Sequence, residues 1–155
     1  MQAVTRATVD EFYRAYKTRQ GTSIAPFLDD DIDWILSGPV GVMPHCGQRR
    51  GAAEVLQVFN GRFPAIFAKM NVVTPTILID GDRVAMLGML SAVLAKTGQN
   101  VSYRIAHFMQ FRDGKIVEFR GIIDSFDAAE QILGHALDTT QDVSAERDFE
   151  LLAVV

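Results

Sequence analysis

The imidazole and thiol side chains are the first groups to consider, because each can act as a base, a nucleophile or a metal ligand. His45 and Cys46 are adjacent, whereas His107 and His135 lie far along the chain. A cysteine beside a histidine suggests a nucleophile and its base, but adjacent side chains rarely point toward each other. Histidines this dispersed, with no acidic residue spaced to complete a set, predict no metal site. His45, in a loop rich in glycine and proline, is either solvated or a substrate contact at the mouth of a pocket.

Three aromatic side chains carry a hydrogen-bond donor on an apolar body, namely Tyr13, Tyr16 and Trp34. Inside a pocket, such donors orient a carbonyl group of a bound molecule. In a packed core, the same side chains are structural and their polar tips are satisfied by the protein. Both interpretations stay open from the sequence.

Hydrophobic periodicity predicts the elements that must position these groups. Helical spacing predicts helices over residues 4–19, 51–69 and 125–136, with a short helix after Gly21 that ends near Leu28. Pro64 is expected to kink or end the helix that contains it. Alternating apolar residues between tight turns predict strands over residues 32–36, 72–79, 83–95, 101–111 and 115–124. The stretch from Ser37 to Gly51 is predicted to be a long loop, and such loops are often functional.

The order of these elements predicts an α+β fold, in which a curved antiparallel sheet wraps around helices and encloses a cone-shaped pocket. Gly88 and Gly121 lie within strands, where they permit the strong curvature that a cone requires. Residues 1–136 are expected to form a single domain. Residues 137–155 are expected to form an extension that packs on the sheet or on a partner.

Composition restricts the class of protein and its partners. Fifteen basic and nineteen acidic residues give a net charge of −4, whereas nucleic-acid binding proteins normally show a basic excess or stripe. No run of eighteen apolar residues is present, which predicts no membrane-spanning helix. A single cysteine favours a reducing, cytoplasmic location. The sequence therefore predicts a cytoplasmic protein that binds neither nucleic acid nor membranes.

Four segments resemble one known family in their order and spacing. They are DDDIDWILSGP at residues 29–39, PHCGQRRGAAEVLQVF at 44–59, IAHFMQFRDGKIVEF at 105–119 and GIIDSFDAAEQILG at 121–134. The chain resembles the SnoaL-like and ketosteroid-isomerase-like families of the nuclear transport factor 2-like superfamily. The resemblance implies this cystatin-like cone fold, with a deep apolar pocket between the sheet and the helices.

Family members use this pocket as isomerases, cyclases, dehydratases or epoxide hydrolases, or only to bind a small molecule. Many are dimers. The resemblance places Tyr16, Trp34 and Ala106 in the pocket lining. The other candidate substrate contacts are His45, Phe59, Phe63 and Phe108.

Ketosteroid isomerase needs two acidic groups, of which one is the base that moves the proton and the other is a neutral hydrogen-bond donor. In that family the base directly precedes a Pro-Val-Gly sequence, where Gly38 stands here. The second acid directly precedes a His-Phe pair, where Ala106 stands here. Isomerisation of steroids by that mechanism is therefore not expected.

Arg104 shares a strand face with Ala106, because alternate strand residues point the same way. If Ala106 lines the pocket, Arg104 faces it too, whereas His107 lies on the opposite, convex face. A buried arginine needs an anionic partner. That partner is either a carboxylate or enolate of a substrate, or an internal carboxylate such as Asp124 or Asp33.

Asp124 closes the last predicted strand, at a position that resembles the general base of SnoaL-like cyclases. Desolvation raises the pKa of a carboxylate toward the range that suits a base. The alternative is that Asp124 or Asp127 caps the helix that follows. Asp124 and Arg104 are the candidate catalytic residues.

The function predicted from these observations is binding of a small apolar molecule, with acid–base chemistry of an isomerase, cyclase or hydrolase type and no cofactor. The alternatives are a binding protein without catalysis, and a dimeric interaction domain with a filled interior. A homodimer is expected through the convex sheet face and the C-terminal residues 147–155. The residues assigned to that convex face are Val101, Tyr103, Ile105, Met109 and Phe111.

Overall fold

A six-stranded sheet forms the body of the protein, and its inner face packs against helices. The computed structural model of the chain describes residues 3–139. The helical segments are α1 (Arg6–Thr18), α2 (Gly21–Ile24), α3 (Ala52–Gln57), α4 (Phe63–Ile66) and α5 (Ser125–Leu133). The strands are β1 (Leu28–Ser37), β2 (Gly47–Arg50), β3 (Phe67–Asp80), β4 (Arg83–Leu94), β5 (Asn100–Arg112) and β6 (Lys115–Ile123).

The first helix, α1, buries one apolar stripe against the sheet. Its buried residues are Val9, Phe12, Tyr13 and Tyr16, which lie at steps of three and four residues. Thr5 caps the helix, because its side chain accepts a hydrogen bond from the Thr8 amide at 3.1 Å. The helix ends close to its predicted end at residue 19, where Arg19 adopts the left-handed conformation at the C-terminal cap, and Gly21 begins α2.

The sheet has the strand order β2-β1-β6-β5-β4-β3. Strands β3 to β6 form the predicted antiparallel meander. Strand β1 pairs with β6 in parallel, so the sheet is mixed rather than wholly antiparallel. Strand β2, which lies within the predicted loop, pairs antiparallel with β1. A four-residue polar strand such as Gly47–Arg50 has no apolar alternation by which the sequence would predict it.

Gly88 lies on the inner face where the sheet bends. The pairing of β3 with β4 is irregular between Val73 and Thr76, and this bulge brings the Val73 carbonyl against Gly88. A Cβ atom at Gly88 would overlap that carbonyl oxygen. The glycine is therefore required by a close approach of two backbones.

The predicted helix over residues 51–69 is divided into three parts. Between α3 and α4, residues Val58–Arg62 form a π-helical turn, in which the Phe63 amide donates to the Val58 carbonyl. Pro64 follows within the first turn of α4, where a missing amide hydrogen is tolerated. Strand β3 then begins at Phe67, five residues before its predicted start.

The last helix, α5, lies against the end of β5 that extends beyond β6. Strand β5 extends beyond the end of β6, which leaves its backbone unpaired at Ser102. The Gln131 side chain fills this position, since it accepts from the Ser102 amide and donates to the Ser102 carbonyl, both at 2.8 Å. Helix α5 ends at Gly134 in the left-handed conformation. No helix of the described chain is long and apolar enough to cross a membrane.

Candidate functional site

Aromatic rings converge on Tyr16 between α1, the α3–α4 segment and the sheet. The ring centroid of Tyr16 lies 5.3 Å from Phe59 and 5.8 Å from Phe63. Phe59 is 5.9 Å from Trp34, which stacks on Phe119 at 3.6 Å. We call this group of rings the aromatic cluster, and its members are Tyr13, Tyr16, Trp34, Phe59, Phe63 and Phe119.

His107 lies within the aromatic cluster on the inner face of β5. Its Nδ1 atom is 3.0 Å from the Tyr13 hydroxyl oxygen, and its ring stacks almost parallel to the Tyr13 ring. Gly121 stands opposite His107 in the β5–β6 register. A Cβ atom there would only touch the imidazole but would overlap the Leu36 side chain, so the absence of a side chain leaves room for Leu36 beside His107. Burial lowers the pKa of His107 to about 3, so the ring is neutral.

His45 enters the interior from the loop between β1 and β2. Its ring is buried, 4.9 Å from the Phe63 ring. Two guanidinium groups fix the loop, since Arg49 donates to the Pro44 and Cys46 carbonyls and Arg62 donates to the Pro44 carbonyl. Burial lowers the pKa of His45 to about 4, so this imidazole is also neutral.

Three buried polar atoms near the aromatic cluster have no hydrogen-bond partner among the described residues. They are Trp34 Nε1, His45 Nδ1 and the Tyr103 hydroxyl oxygen. A fourth buried atom without a partner, Arg19 Nε, belongs to a half-buried guanidinium that donates through Nη1 to the Phe67 carbonyl. Buried polar groups in proteins almost always have a partner, and each one without a partner costs about 1–3 kcal/mol. The three atoms near the aromatic cluster are therefore candidate hydrogen-bonding groups for a molecule that enters the interior.

The interior carries no formal charge. No aspartate, glutamate, lysine or arginine among residues 3–139 is buried. Burial raises the pKa of Tyr16 and Tyr103 well above the ordinary value, and it raises the pKa of the Cys46 thiol to about 12. The phenols and the thiol therefore stay protonated, and the two histidines are the groups able to accept a proton.

Five of the predicted substrate contacts come together in this interior. Tyr16, Trp34, His45, Phe59 and Phe63 are all buried, and ring contacts link them. The structure thus brings together one predicted residue from α1, one from β1, one from the loop and two from the α3–α4 segment.

The predicted orientation of β5 is wrong. Arg104 and Phe108 are exposed on the outer face of the sheet, and Ala106 lies on the same face. The residues assigned to the convex face are buried instead, and they include Tyr103 and Ile105. The alternation of side chains along β5 predicts the observed orientation. Its odd-numbered positions hold the larger apolar side chains, whereas its even-numbered positions include Ser102, Arg104 and Gln110.

Asp124 and Arg104 form an ion pair at the surface. Arg104 Nη2 lies 3.5 Å from Asp124 Oδ2, and the Arg104 side chain is 74% exposed. The carboxylate next to Arg104 is therefore Asp124, one of the two predicted internal partners, and the pair lies at the surface rather than in the interior. Asp124 also occupies the N-cap position of α5, where its side chain makes no capping hydrogen bond within the described chain. The catalytic roles predicted for this pair stay untested, and its position on the outer face gives them no support.

Three interior groups are not among the predicted contacts, namely Tyr13, Tyr103 and His107. The assignment of Ala106 to the pocket places Tyr103 and His107 on the wrong face. Tyr13 is recognisable as amphipathic, but only its contact with His107 gives it a place in the site. The sequence signal for all three is the odd-numbered apolar alternation of β5 together with the stripe of α1.

The outer face of the sheet carries a second feature, a row of apolar side chains that no described helix covers. Leu78, Leu87, Phe108 and Ile122 are each half or more exposed. Leu87 pairs with Ala106, which pairs with Ile122, so these side chains lie side by side across β4, β5 and β6. We call this surface the outer apolar face.

Comparison with known proteins gives matches over most of the chain. A family model described as a SnoaL-like domain matches residues 9–119. A solved structure from Rhodopseudomonas palustris, provisionally described as an isomerase, is 30% identical, with a TM-score of 0.74 over 85% of this chain and 100% of that chain.

Two further solved structures share the fold. A nuclear transport factor 2-like protein from Burkholderia pseudomallei is 23% identical, with a TM-score of 0.72 over 81% of this chain and 95% of its own. An epoxide hydrolase from M. tuberculosis is 18% identical, with a TM-score of 0.66 over 83% of this chain and 88% of its own. A comparison with curated proteins finds no match.

Proposed function

Because the chain belongs to the SnoaL-like family, we propose that it binds a small apolar carbonyl compound within the aromatic cluster and acts on it by acid–base chemistry. The reaction class is that of an isomerase, cyclase or hydrolase without a cofactor. The observation that carries the proposal is the set of three buried polar atoms without partners, on Trp34, His45 and Tyr103. A ligand with an oxygen acceptor would satisfy the donors among them.

In this proposal, neutral histidines are the acid–base groups of the reaction. His45 and His107 are the buried histidines of the described chain, and both stay neutral at neutral pH, so each keeps one ring nitrogen without a proton. A mechanism based on carboxylates has no support, because no carboxylate among residues 3–139 is buried. Isomerisation of steroids by paired carboxyl groups is therefore not part of the proposal. The similar protein described as an isomerase agrees with the broader reaction class.

Trp34 provides a direct test, because it is the only tryptophan in the chain and it is buried in the cluster. We expect titration with 2-acetylnaphthalene, a neutral aromatic ketone, to change Trp34 fluorescence with saturation. The Tyr103→Phe variant should bind this probe about tenfold more weakly, as expected for loss of one hydrogen bond. Phe126→Ala, which removes an exposed ring from α5, is the control and should bind like the wild type. Absence of saturable binding by the folded protein to any of a panel of aromatic ketones would contradict the proposal.

A second function is an interaction domain whose interior is filled by its own side chains. The observation that favours it is the contact of the aromatic rings with one another, since Tyr16, Phe59 and Phe63 lie at van der Waals distance. The same titration separates the two functions. The His45→Asn variant then distinguishes catalysis from binding alone. It should abolish turnover of a bound substrate, whereas its dissociation constant should stay within about tenfold of the wild-type value.

We also propose that a second copy of the chain covers the outer apolar face, which gives a homodimer. The apolar side chains of this face are each half or more exposed and lie side by side, and contiguous apolar patches of this kind mark interaction sites. Stable complexes bury roughly 800 Å² per partner, so the interface would also include polar neighbours of the face such as Arg104 and Asp124. The predicted role of the C-terminal residues in the dimer lies outside the described residues, because the chain beyond residue 139 is not described.

Light scattering tests the homodimer. The wild-type mass should be twice that of the 17.1 kDa chain. Leu87→Lys, in the centre of the face, should give a folded monomer, because a lysine there cannot be buried without a partner. Val40→Lys replaces an exposed apolar residue of the β1–β2 loop and should leave the mass unchanged. A monomeric wild type would refute the dimer.

A further inference from the structure

The hydrogen bond between Tyr13 and His107 determines which nitrogen of the imidazole carries the proton. Among residues 3–139, His107 Nδ1 is the single partner of the Tyr13 hydroxyl, at 3.0 Å. Both side chains are buried, so solvent does not compete for either atom. The two possible directions of this hydrogen bond leave different groups without a partner.

If the Tyr13 hydroxyl donates, its proton and His107 Nδ1 are both satisfied, and one group, the Nε2 hydrogen, is left to find an acceptor. If Nδ1 donates instead, the phenolic hydrogen and the Nε2 lone pair are both left without a partner in the described chain. The first arrangement leaves fewer buried groups unsatisfied and is therefore favoured. The raised pKa of Tyr13, caused mainly by burial, keeps the phenol protonated and able to donate.

We infer that Tyr13 is a positioning residue, which holds His107 in the tautomer with its proton on Nε2 and makes the neutral imidazole a hydrogen-bond donor rather than a base. This inference deepens the proposed function and rests on it for the identity of the site. The proton on one imidazole nitrogen is generally set by the hydrogen bond that the other nitrogen makes.

A ligand of this interior must carry hydrogen-bond acceptors, because the available protein groups are donors. Trp34 Nε1 can only donate, and the phenol of Tyr103 stays protonated and has a hydrogen to donate. With His107 as a third donor, the interior favours a neutral aromatic molecule that carries carbonyl oxygens. A carboxylate is disfavoured, because no cationic side chain among residues 3–139 is fully buried to compensate it. The half-buried guanidinium of Arg19 already donates to the Phe67 carbonyl. His45 is then the interior imidazole left to accept a proton.

The tautomer is measurable in the free protein by long-range ¹H–¹⁵N NMR of the histidine rings. We expect wild-type His107 to show a protonated Nε2 and an unprotonated Nδ1. In Tyr13→Phe, which removes the hydroxyl and keeps the ring, His107 should show a mixture of both tautomers. Tyr16→Phe is the matched control, because Tyr16 packs against the same imidazole at 5.5 Å without a hydrogen bond to it, and it should retain the wild-type pattern. A wild-type His107 with its proton on Nδ1, or an unchanged tautomer in Tyr13→Phe, overturns the inference.

A matched pair of probes tests the donor role. The wild type should bind 2-acetylnaphthalene at least tenfold more tightly than 2-ethylnaphthalene, which has nearly the same shape and no acceptor, and more tightly than 2-naphthoate. The preference for the ketone should shrink in Tyr13→Phe. Equal binding of the ketone and the hydrocarbon overturns the donor role and leaves the proposed binding site standing. If none of the probes binds while the tautomer is as expected, the proposed function fails and the positioning role of Tyr13 stands.

Discussion

His45 and His107 determine how the interior responds to pH. Their pKa values in the folded protein, about 4 and about 3, lie below the ordinary value of 6.5 because burial disfavours the charged imidazolium. Below pH 6.5 the unfolded chain takes up protons at these two positions, whereas the folded protein does not. The free energy of unfolding therefore has its full value above pH 6.5. It decreases as the pH falls toward the pKa values of the two histidines in the folded protein.

We predict that the free energy of unfolding decreases by roughly 2 kcal/mol for each of the two histidines between about pH 7.5 and about pH 5. Urea unfolding at the two pH values measures the decrease. Asp29 and Asp33 contribute little in this range. Hydrogen bonds from the Asp31 amide and the Gln48 side chain lower their respective pKa values, so they lose their charge only at lower pH.

Single histidine variants provide the controls for this pH dependence. His45→Asn should remove about half of the decrease, because asparagine does not titrate. His135→Gln replaces an exposed histidine and should leave the decrease as in the wild type. An unchanged pH dependence in His45→Asn would show that the His45 imidazole is not held neutral by burial.

The surface position of Asp124 leads to a second prediction at the residue scale. Asp124→Asn should lower the free energy of unfolding by no more than about 1 kcal/mol, because its ion pair with Arg104 is exposed and its remaining contribution comes from the start of α5. Urea unfolding of the variant measures this effect. A loss well above that value would mean that the carboxylate makes a buried interaction.

At the scale of elements, the close contact between β3 and β4 leaves no space for a side chain at Gly88. Gly88→Ala should destabilise the protein by about 1–3 kcal/mol, because the new methyl group would force the Val73 backbone to move. Gly41→Ala is the matched control, since a Cβ atom there would meet no other atom within 4 Å. Thermal unfolding of both variants measures the difference. Equal melting temperatures would show that the bulge in β3 relaxes without cost.

The sequence predicts elements better than it predicts the site, and β5 shows why. Its bounds are predicted within one residue at each end, because a run of alternating apolar residues between two turn signals is unambiguous. Which of its faces is internal depends on the apolar side chains, and assigning Ala106 by resemblance reverses that choice. The interior position of Tyr16 and Trp34 is predictable from their elements. The partnership of Tyr13 with His107, 94 residues apart, depends on packing that no local pattern records.

At the scale of the whole molecule, the pairing of β1 with β6 joins distant parts of the chain. Strands β3 to β6 follow one another, so each of their pairings closes a short turn. By contrast, the Asp33 and Arg120 side chains that connect β1 with β6 lie 87 positions apart. Contacts between distant residues cost more loop-closure entropy and form later than local ones.

We predict that the meander of β3 to β6 forms first during folding and that β1 joins it afterwards. Ile105→Val in β5 should slow folding, whereas Ile32→Val in β1 should mainly speed unfolding, because its contacts form after the rate-limiting step. Each variant removes one buried methylene, at a cost of about 0.5–1.5 kcal/mol. Stopped-flow folding and unfolding in urea separates the two effects. Equal slowing of folding by both variants would contradict this order.

The stack of Trp34 on Phe119 spans this last junction, since Trp34 lies on β1 and Phe119 on β6. The aromatic cluster is thus incomplete until β1 has paired with β6. During biosynthesis, a ligand would find no site on the meander alone and would select chains in which β1 has docked. The small molecule would then act as a late folding partner, which stabilises the finished junction in proportion to the logarithm of its concentration.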